Sequence, residues 1–223
     1  LNSAQTSIGG TFETQRLRTF LVRERGLVPT RQVAQGGTDI LTSDQVTEFK
    51  DQSRYVNEQI IGLDEKLALS AGARLDRSSV NGDRSKYYAY PKFSASYRFT
   101  DPLHSVASFM DEVKFRASYG QAGNRPNYGF REVTITTGGV IGGAGSLVAA
   151  PTVGNEKLKP EVMNELEVGA DAAFFRGRVS LEFSRYNRVI KDLLVNYPLA
   201  PTSGLTLQQI NGGPLAAGAH TLY

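Results

Sequence analysis

The chain has 223 residues, of which 40% are hydrophobic and 21% charged, a composition typical of a folded protein rather than a disordered one. Its net charge is +3, and its lysines and arginines are spread along the chain, which disfavours a nucleic-acid-binding surface because such a surface needs clustered cations. Cysteine is absent, which excludes disulfides, thiolate metal sites and cysteine nucleophiles.

The chain opens with LNSAQTSIGG, which lacks an initiator methionine and the basic and apolar regions of a signal peptide. This opening predicts a longer protein whose N-terminal part is missing here. The two long uncharged stretches, residues 133–155 and 193–223, are interrupted by glycines or prolines, so neither predicts a membrane-spanning helix. Any contact with the interior of a membrane would therefore have to be made by β-strands.

A two-residue alternation of apolar and polar side chains predicts about seven strands. The alternation is weak in residues 7–21, 54–61 and 87–99, and clear in residues 66–76, 112–120, 165–174 and 178–184. In residues 66–76, Leu67, Leu69 and Leu75 share one face, whereas Ser70 and Arg74 lie on the other. Each clear segment therefore has one apolar face and one largely polar face.

The predicted connections tend to alternate between short and long. Residues 62–65 and Arg176-Gly177 form short turns, residues 100–111 form a longer link with room for one helical turn, and the segments 22–53, 77–86 and 122–163 are long. An up-and-down barrel of the outer membrane has short periplasmic turns and long outer loops. A soluble β-sandwich explains the alternating side chains equally well but gives no reason for long loops on one side.

Aromatic residues near strand ends favour the membrane barrel. Tyr87, Tyr88 and Tyr90 cluster at the start of one predicted strand and Phe99 ends it, while Phe174 lies beside a predicted turn. Such positions suit the aromatic girdles at the two interfaces of a bilayer. Ordinary packing is the alternative for any single one of these residues.

The sequence carries no recognisable catalytic or metal-binding pattern. The glycine-rich residues 138–145 lack a phosphate-loop motif and predict a flexible outer loop, and His104 and His220 lack a second ligand at metal spacing and predict surface positions. Glu165 and Glu167 alternate with apolar residues, which favours a solvated strand face over a pair of catalytic acids. We therefore predict no enzyme, no cofactor and no metal site.

Two residues of a predicted loop are candidates for ligand contact. Arg125 and Tyr128 lie in residues 124–130, and loops often carry binding residues. The same loop can equally well serve only to connect two strands, so the sequence assigns no ligand-binding residue.

Four motifs, in order along the chain, resemble TonB-dependent receptors of the SusC/RagA type. They are LALSAGARLDRSSVNG at residues 67–82, Tyr90-Pro91 followed by an alternating run to Phe99, VKFRASYGQAGN at residues 113–124, and the Leu158-Lys159-Pro160-Glu161 strand opening that continues through residues 177–194. Together the resemblance spans residues 8–213.

The resemblance implies an all-β chain, an antiparallel up-and-down transmembrane barrel present here only as a partial, curved sheet with long loops on one rim. It implies import of large nutrients, such as glycans or peptides, across the bacterial outer membrane, with membrane lipid, the TonB complex and a SusD-like lipoprotein as partners of the complete receptor. Receptors of this kind have roughly 22 strands around a plugged lumen, and the sequence shows neither a plug domain nor a TonB box. We therefore expect this chain alone to be incompetent in transport.

The last ten residues, 214–223, depart from the family pattern. PLAAGAHTLY does not continue the expected strand, although the chain ends on an aromatic residue, Tyr223. We predict a partial receptor barrel over residues 1–213, followed by an irregular tail that reflects truncation or a disrupted reading frame. A soluble or surface-exposed β-rich binding or adhesion module remains the alternative to a receptor barrel.

Overall fold

The computed structural model describes residues 2–27, 39–99 and 109–222, which fold almost entirely into β-structure. The strands are β1 (Ser3–Arg25), β2 (Asp39–Gly62), β3 (Leu67–Ser78), β4 (Tyr88–Phe99), β5 (Met110–Asn124), β6 (Ile135–Ile141), β7 (Ala144–Ala149), β8 (Thr152–Val153), β9 (Glu161–Phe174), β10 (Val179–Lys191), β11 (Leu194–Pro198), β12 (Leu207–Asn211) and β13 (Leu215–Leu222), and one 3-10 helix spans Pro201–Ser203.

Eight strands form one antiparallel sheet in the order β1-β2-β3-β4-β5-β9-β10-β13. The edge strands β1 and β13 do not pair with each other, so the sheet is open. The excursions between its strands form a three-stranded sheet, β11-β12-β8, and a hairpin, β6-β7. The predicted partial barrel is confirmed, with eight strands in the main sheet where the sequence predicts about seven.

The strand register keeps apolar side chains together on one face. Leu69 lies opposite Ala95, Ala95 opposite Ala117, and Ala117 opposite Val168. One residue further along β3, Ser70 begins a second row that continues through Ser94, Ser118 and Glu167 on the other face. Because a slip of one residue would exchange the two faces, this pattern fixes the register across four strands.

Among the described residues, no second layer packs on the apolar face of the sheet. Phe93, Phe115 and Leu166 keep 54%, 53% and 51% of their surfaces exposed. In a soluble sandwich, side chains of this kind would fill the space between two sheets. The single-layer arrangement therefore disfavours the sandwich. Within the described ranges, no helix combines the length and the hydropathy needed to cross a bilayer.

Connection length separates the two rims of the sheet. One rim, called here the turn rim, carries the tight turns at residues 63–66 and 175–178, where several residues adopt positive φ. The opposite loop rim carries the longer excursions at residues 125–160 and 192–214. The two longest described excursions thus share one rim, as predicted. The ten residues between β4 and β5 connect at the turn rim, and the helical turn predicted there falls mostly on residues outside the described ranges.

The predicted long loop at residues 22–53 is largely strand. β1 and β2 pair without interruption from Ser3 opposite Ile61 to Arg25 opposite Asp39, whereas β3 pairs with β2 only as far as Asp51. Beyond that point, no third strand among the described residues pairs with the ribbon, and most of its side chains are exposed. Its side chains do not need to alternate in polarity, which is why the sequence pattern missed it.

The prediction of an irregular tail was wrong, and the predicted glycine-rich outer loop contains a hairpin. Residues 215–222 are a strand, with Leu215 opposite Ile190, because the backbone of an edge strand can pair with a segment whatever its side chains are. The glycine-rich segment is the β6-β7 hairpin, in which Gly142 and Gly143 supply φ values of 59° and 83°. The domain limit at residue 213 stays a prediction.

Candidate functional site on the polar face of the sheet

The polar face carries a ladder of ion pairs that crosses β5, β9 and β10. Arg116 on β5 lies opposite Gly169, which has no side chain, so the guanidinium extends over β9. It reaches Glu182 on β10 at 2.7 Å and lies 3.5 Å from Asp171 and 3.8 Å from Glu167. This geometry holds three carboxylates around one cation.

Glu165 and Glu167 face different cations. Glu165 accepts a hydrogen bond from Arg188 Nε at 2.5 Å, and Glu167 belongs to the group around Arg116. Both side chains lie on the polar face and are only partly buried, as predicted. Each carboxylate is matched with a cation on a neighbouring strand, an arrangement that stabilises a wet surface and leaves no free acid–base pair.

A cavity of about 250 Å³ opens on the same face near the loop rim. Its walls come from five strands and the connections beside them. The polar-face residues that line it include Thr11, Glu13, Asp51, Ser53, Arg74, Asp76, Ser78, Asn81, Tyr90, Asn124 and Arg125. A second cavity of about 430 Å³ adjoins it and shares Arg74, Asp76, Tyr90 and Gly123. We call the first of these the mouth cavity.

Among the described residues, the Oδ1 atoms of Asp51 and Asn81 in the mouth cavity are buried without a hydrogen-bond partner. Two neutral groups of the cavity, the Asn81 amide oxygen and the Tyr90 hydroxyl, are of interest for ligand contact. Asn81 is 2% exposed, and its Oδ1 atom accepts no hydrogen bond. Tyr90 is 5% exposed, and no hydrogen bond of its hydroxyl is found among the described residues. Buried polar groups in proteins nearly always have a partner, so these two groups are suited to a bound polar molecule or to water.

The charges of the mouth cavity are mostly matched within it. Arg125 donates to Asp51 and stacks on Phe49, with its Cζ atom 3.8 Å from the ring centroid. Arg74 pairs with Asp76 at 2.7 Å. A cavity of paired charges and neutral polar groups suits hydroxyl and amide groups better than a free anion or cation.

Glycines shape the walls of the cavity. The ring of Tyr90 lies over Gly123, where any Cβ atom would collide with the phenol. Gly82 donates from its backbone to Leu158 at 2.8 Å, and a side chain there would meet the backbone oxygens of Glu156 and Leu158. Only glycine allows these close approaches.

Three loop-rim connections are joined into one cap beside the cavity. Arg131 donates to the Gly82 carbonyl at 3.0 Å, linking residues 125–160 to residues 79–87. Asn155 donates to the Gln209 carbonyl at 3.0 Å, which adds β12. Leu158 is fully buried within this cap, and Gln209 is 2% exposed. The three connections therefore form one packed unit that borders the mouth cavity at the loop rim.

The loop that carries Asn81 is also fixed locally. Asp83 accepts hydrogen bonds from the Ser85 hydroxyl at 2.6 Å and from the Ser85 backbone at 2.8 Å. Both bonds lower the pKa of the exposed Asp83 carboxyl below its ordinary value, and the bond from the Ser85 hydroxyl has the larger effect. Because the ionised form is favoured in the folded loop, the contribution of this turn is present at neutral pH and is lost as the pH falls through the lowered pKa.

Arg125 and Tyr128, the two loop residues that the sequence offered as candidates for ligand contact, lie at different cavities in the structure. Arg125 lines the mouth cavity, whereas Tyr128 is 47% exposed and lies by a different cavity beside Lys50 and Glu132. His220 is an exposed residue of β13 opposite Arg185, and His104 lies outside the described ranges. The part of the chain that the structure describes contains no cluster of three or more metal-ligating side chains.

Sequence reasoning missed Asn81, Tyr90 and Asp51 as site residues. Tyr90 was assigned to an aromatic girdle, but its register places it opposite Arg74 on the polar face. Strict alternation from the apolar Leu67 and Leu75 across to β4 could have revealed this, because odd-numbered β3 residues lie on the apolar face. Asn81 had no signal in the sequence, since its burial depends on a loop from far along the chain.

Comparison with known proteins agrees with this architecture. A family model described as TonB dependent receptor-like, beta-barrel matches residues 4–215. TonB-dependent receptor P26 of Formosa agariphila is 31% identical over 189 residues, which cover 79% of this chain and 18% of that protein. TonB-dependent receptor P3 of the same organism is 30% identical over 155 residues, covering 67% of this chain and 15% of that protein.

Solved structures show the same fold. The RagAB peptide transporter superposes with a TM-score of 0.79 at 18% identity, covering 99% of this chain and 25% of that one. The siderophore receptor PirA from Pseudomonas aeruginosa gives a TM-score of 0.57 at 18% identity, covering 96% of this chain and 39% of that one. The chain spans less than a fifth of the length of the two curated relatives. With its open antiparallel sheet, its two unlike faces and its loop-rim cap, the chain belongs to the TonB-dependent receptor β-barrel family and has the fold of part of a RagA-type barrel.

Proposed function

We propose that this chain forms part of the wall of an outer-membrane importer, with its apolar face against lipid and its polar face along the path of the solute. The observation that carries the proposal is the single-layer sheet with a bare apolar face on one side and an ion-paired face with a cavity on the other. The six inner strands of the sheet pair on both sides, as spanning a bilayer demands, and the edges of β1 and β13 would pair with further strands of the complete barrel.

The solute is a large nutrient that carries many hydroxyl or amide groups, such as a glycan or a peptide. The unpartnered Asn81 and Tyr90 groups and the paired charges of the mouth cavity support this class. The resemblance to a peptide transporter supports peptides, while the family as a whole leaves glycans open. The complete receptor would draw energy from the TonB complex and work with a SusD-like lipoprotein.

Fractionation of cells that produce the chain tests its placement. We expect the chain in the outer-membrane fraction, extractable only with detergent, because the exposed Phe93, Phe115 and Leu166 need an apolar solvent. A protease added to intact cells should cut the loop rim before the turn rim. Recovery of a folded monomer from the soluble fraction without detergent would instead support the soluble binding module.

Uptake measurements test the dependence on the rest of the receptor. Cells that make only these 223 residues should take up labelled oligosaccharides and peptides no faster than cells without the chain. Uptake above that background would refute the proposal that the chain is incompetent alone, and would leave its placement in the membrane untouched.

A further inference from the structure

A cluster of two arginines, a glutamine and a tyrosine lies near the loop rim, and two of its members, Gln52 and Arg77, also line the mouth cavity. The Cζ atoms of Arg54 and Arg77 lie 5.5 Å and 5.1 Å from the ring centroid of Tyr87. Gln52 accepts hydrogen bonds from Arg77 at 2.5 Å and from the Tyr87 hydroxyl at 3.2 Å. We call these four residues the rim cluster.

The register places the rim cluster on the apolar face. Arg54 lies opposite Leu75, and Gln52 opposite Arg77, two residues beyond Leu75 on β3. Side chains two residues apart on a strand share a face. The cluster therefore continues the row that begins with the apolar Leu67 and Leu69 near the turn rim.

The height of the rim cluster matches the edge of an apolar bilayer band. Ten residues separate Leu67 from Arg77 along β3. At about 3.3 Å per residue and a strand tilt of about 40°, this corresponds to roughly 25 Å, the height of the apolar band of a membrane barrel. Tyr87 thus lies where aromatic residues meet the headgroups.

Neither arginine of the rim cluster has a carboxylate partner among residues 2–27, 39–99 and 109–222. On the polar face, by contrast, Arg74, Arg116 and Arg188 are all ion-paired. Two guanidinium groups without a carboxylate partner attract an anion. The planar guanidinium group can donate two parallel hydrogen bonds to phosphate oxygens.

An apolar groove lies below the rim cluster on the same face. Its volume is about 500 Å³, and Ile60, Leu69, Ala71, Phe93, Ala95 and Ala117 are among the residues that line it. The three alanines form a shallow trough between larger neighbours. Leu75, beside Arg54, is four residues from Ala71, or about 13 Å along the strand, a distance that the glycerol and upper acyl carbons of a lipid can cover.

We propose that the rim cluster and the groove form a binding site for a phosphate-bearing lipid, with the phosphate between Arg54 and Arg77 and an acyl chain over Ala71 and Ala95. The proposal rests on the proposed exposure of the apolar face to lipid. It goes beyond that exposure because it assigns a fixed, anion-selective site to one position on the barrel wall.

Native mass spectrometry of the detergent-solubilised chain tests the site. The probes are dipalmitoyl phosphatidic acid, dipalmitoyl phosphatidylcholine and inorganic phosphate, and the variant is R54Q/R77Q. We expect the chain to retain phosphatidic acid in preference to phosphatidylcholine, and the variant to bind phosphatidic acid roughly thirtyfold more weakly, given the usual contribution of two arginines near anionic headgroups. Inorganic phosphate should not displace the lipid, because it lacks the acyl chains.

The matched control is R16Q/R18Q, which removes the same charge from the β1-β2 ribbon above the sheet. It should bind phosphatidic acid as the unaltered chain does. Equal retention by R54Q/R77Q, an equal loss in the control, or displacement of the lipid by free phosphate would each overturn the lipid site. If R54Q/R77Q fails to form β-structure, R77K replaces it, with roughly threefold weaker binding expected because lysine cannot make the bidentate contact, and unchanged binding counting against the site.

The two proposals fail in different ways. A chain that is soluble without detergent would remove the membrane placement and the lipid site together. A chain that requires detergent but binds phosphatidic acid and phosphatidylcholine alike would remove only the lipid site.

Discussion

Gly82 is the residue at which the cap has least room to adjust. A methyl group at this position would meet the backbone oxygens of Glu156 and Leu158 rather than the end of a flexible side chain. We expect Gly82→Ala to lower the free energy of unfolding by about 1–3 kcal/mol, the usual cost of overpacking, as measured by urea unfolding in detergent. Gly120→Ala, at a site with open space, is the control, and an equal cost in both variants would contradict the role of the contact.

Tyr90 allows the polar contribution of the mouth cavity to be separated from its packing. Tyr90→Phe keeps the ring over Gly123 and removes only the hydroxyl. We expect the free energy of unfolding to change little. Under the proposed function, the affinity for a glycan or peptide should fall about twofold to tenfold, the effect of one hydrogen bond. Titration calorimetry of the complete receptor that carries this change measures the affinity, and an unchanged value would remove the hydroxyl from the site.

Arg116 is the only cation within ion-pairing distance of Glu182 among the described residues. Arg116→Met leaves Glu167, Asp171 and Glu182 close together without it, so we expect a loss of about 1–2 kcal/mol in the free energy of unfolding for this partly exposed group. The loss should shrink on going from low salt to about 1 M salt, where the Debye length is about 3 Å. Arg178→Met, in the turn between β9 and β10, should show neither effect.

At the scale of elements, the β1-β2 ribbon contrasts with the sheet from which it extends. Residues 14–25 and 39–50 pair only with each other, and Leu17, Phe20 and Leu41 are 63%, 65% and 59% exposed. A two-stranded ribbon is only marginally stable in water. We expect its amides to exchange hydrogen much faster than those of residues 51–62, as measured by mass spectrometry. Equal protection in the isolated chain would show that the ribbon is stable by itself.

The elements also show what the sequence could and could not predict. Strands β3, β5, β9 and β10 were predicted because each has one face toward an apolar environment, which imposes alternation on residues such as Leu67, Phe115 and Leu181. The ribbon and β13 lack that constraint, so backbone pairing alone defines them. The mouth cavity depends on Asn81 meeting a loop about 75 residues away, as the Gly82–Leu158 hydrogen bond shows, and no local pattern encodes such a meeting.

At the scale of the whole molecule, the unpaired edges of the sheet are the feature that most favours aggregation. Among the described residues, no strand pairs with the outer sides of β1 and β13. Unpaired edges promote association with other copies. We expect sedimentation analysis in detergent to show oligomers that grow with protein concentration. A monodisperse monomer over the whole concentration range would indicate that detergent alone satisfies the edges.

The cap over the mouth cavity has a consequence for the order of assembly. Its hydrogen bonds connect Gly82 with Leu158 and Asn155 with Gln209. These partners come together only after the intervening strands have paired. Contacts between residues so distant in sequence form late, because the chain must first lose much of its freedom. A chain that has inserted only its first strands would therefore lack the cap, and under the proposed function it could not bind a solute in the mouth cavity until β12 is in place.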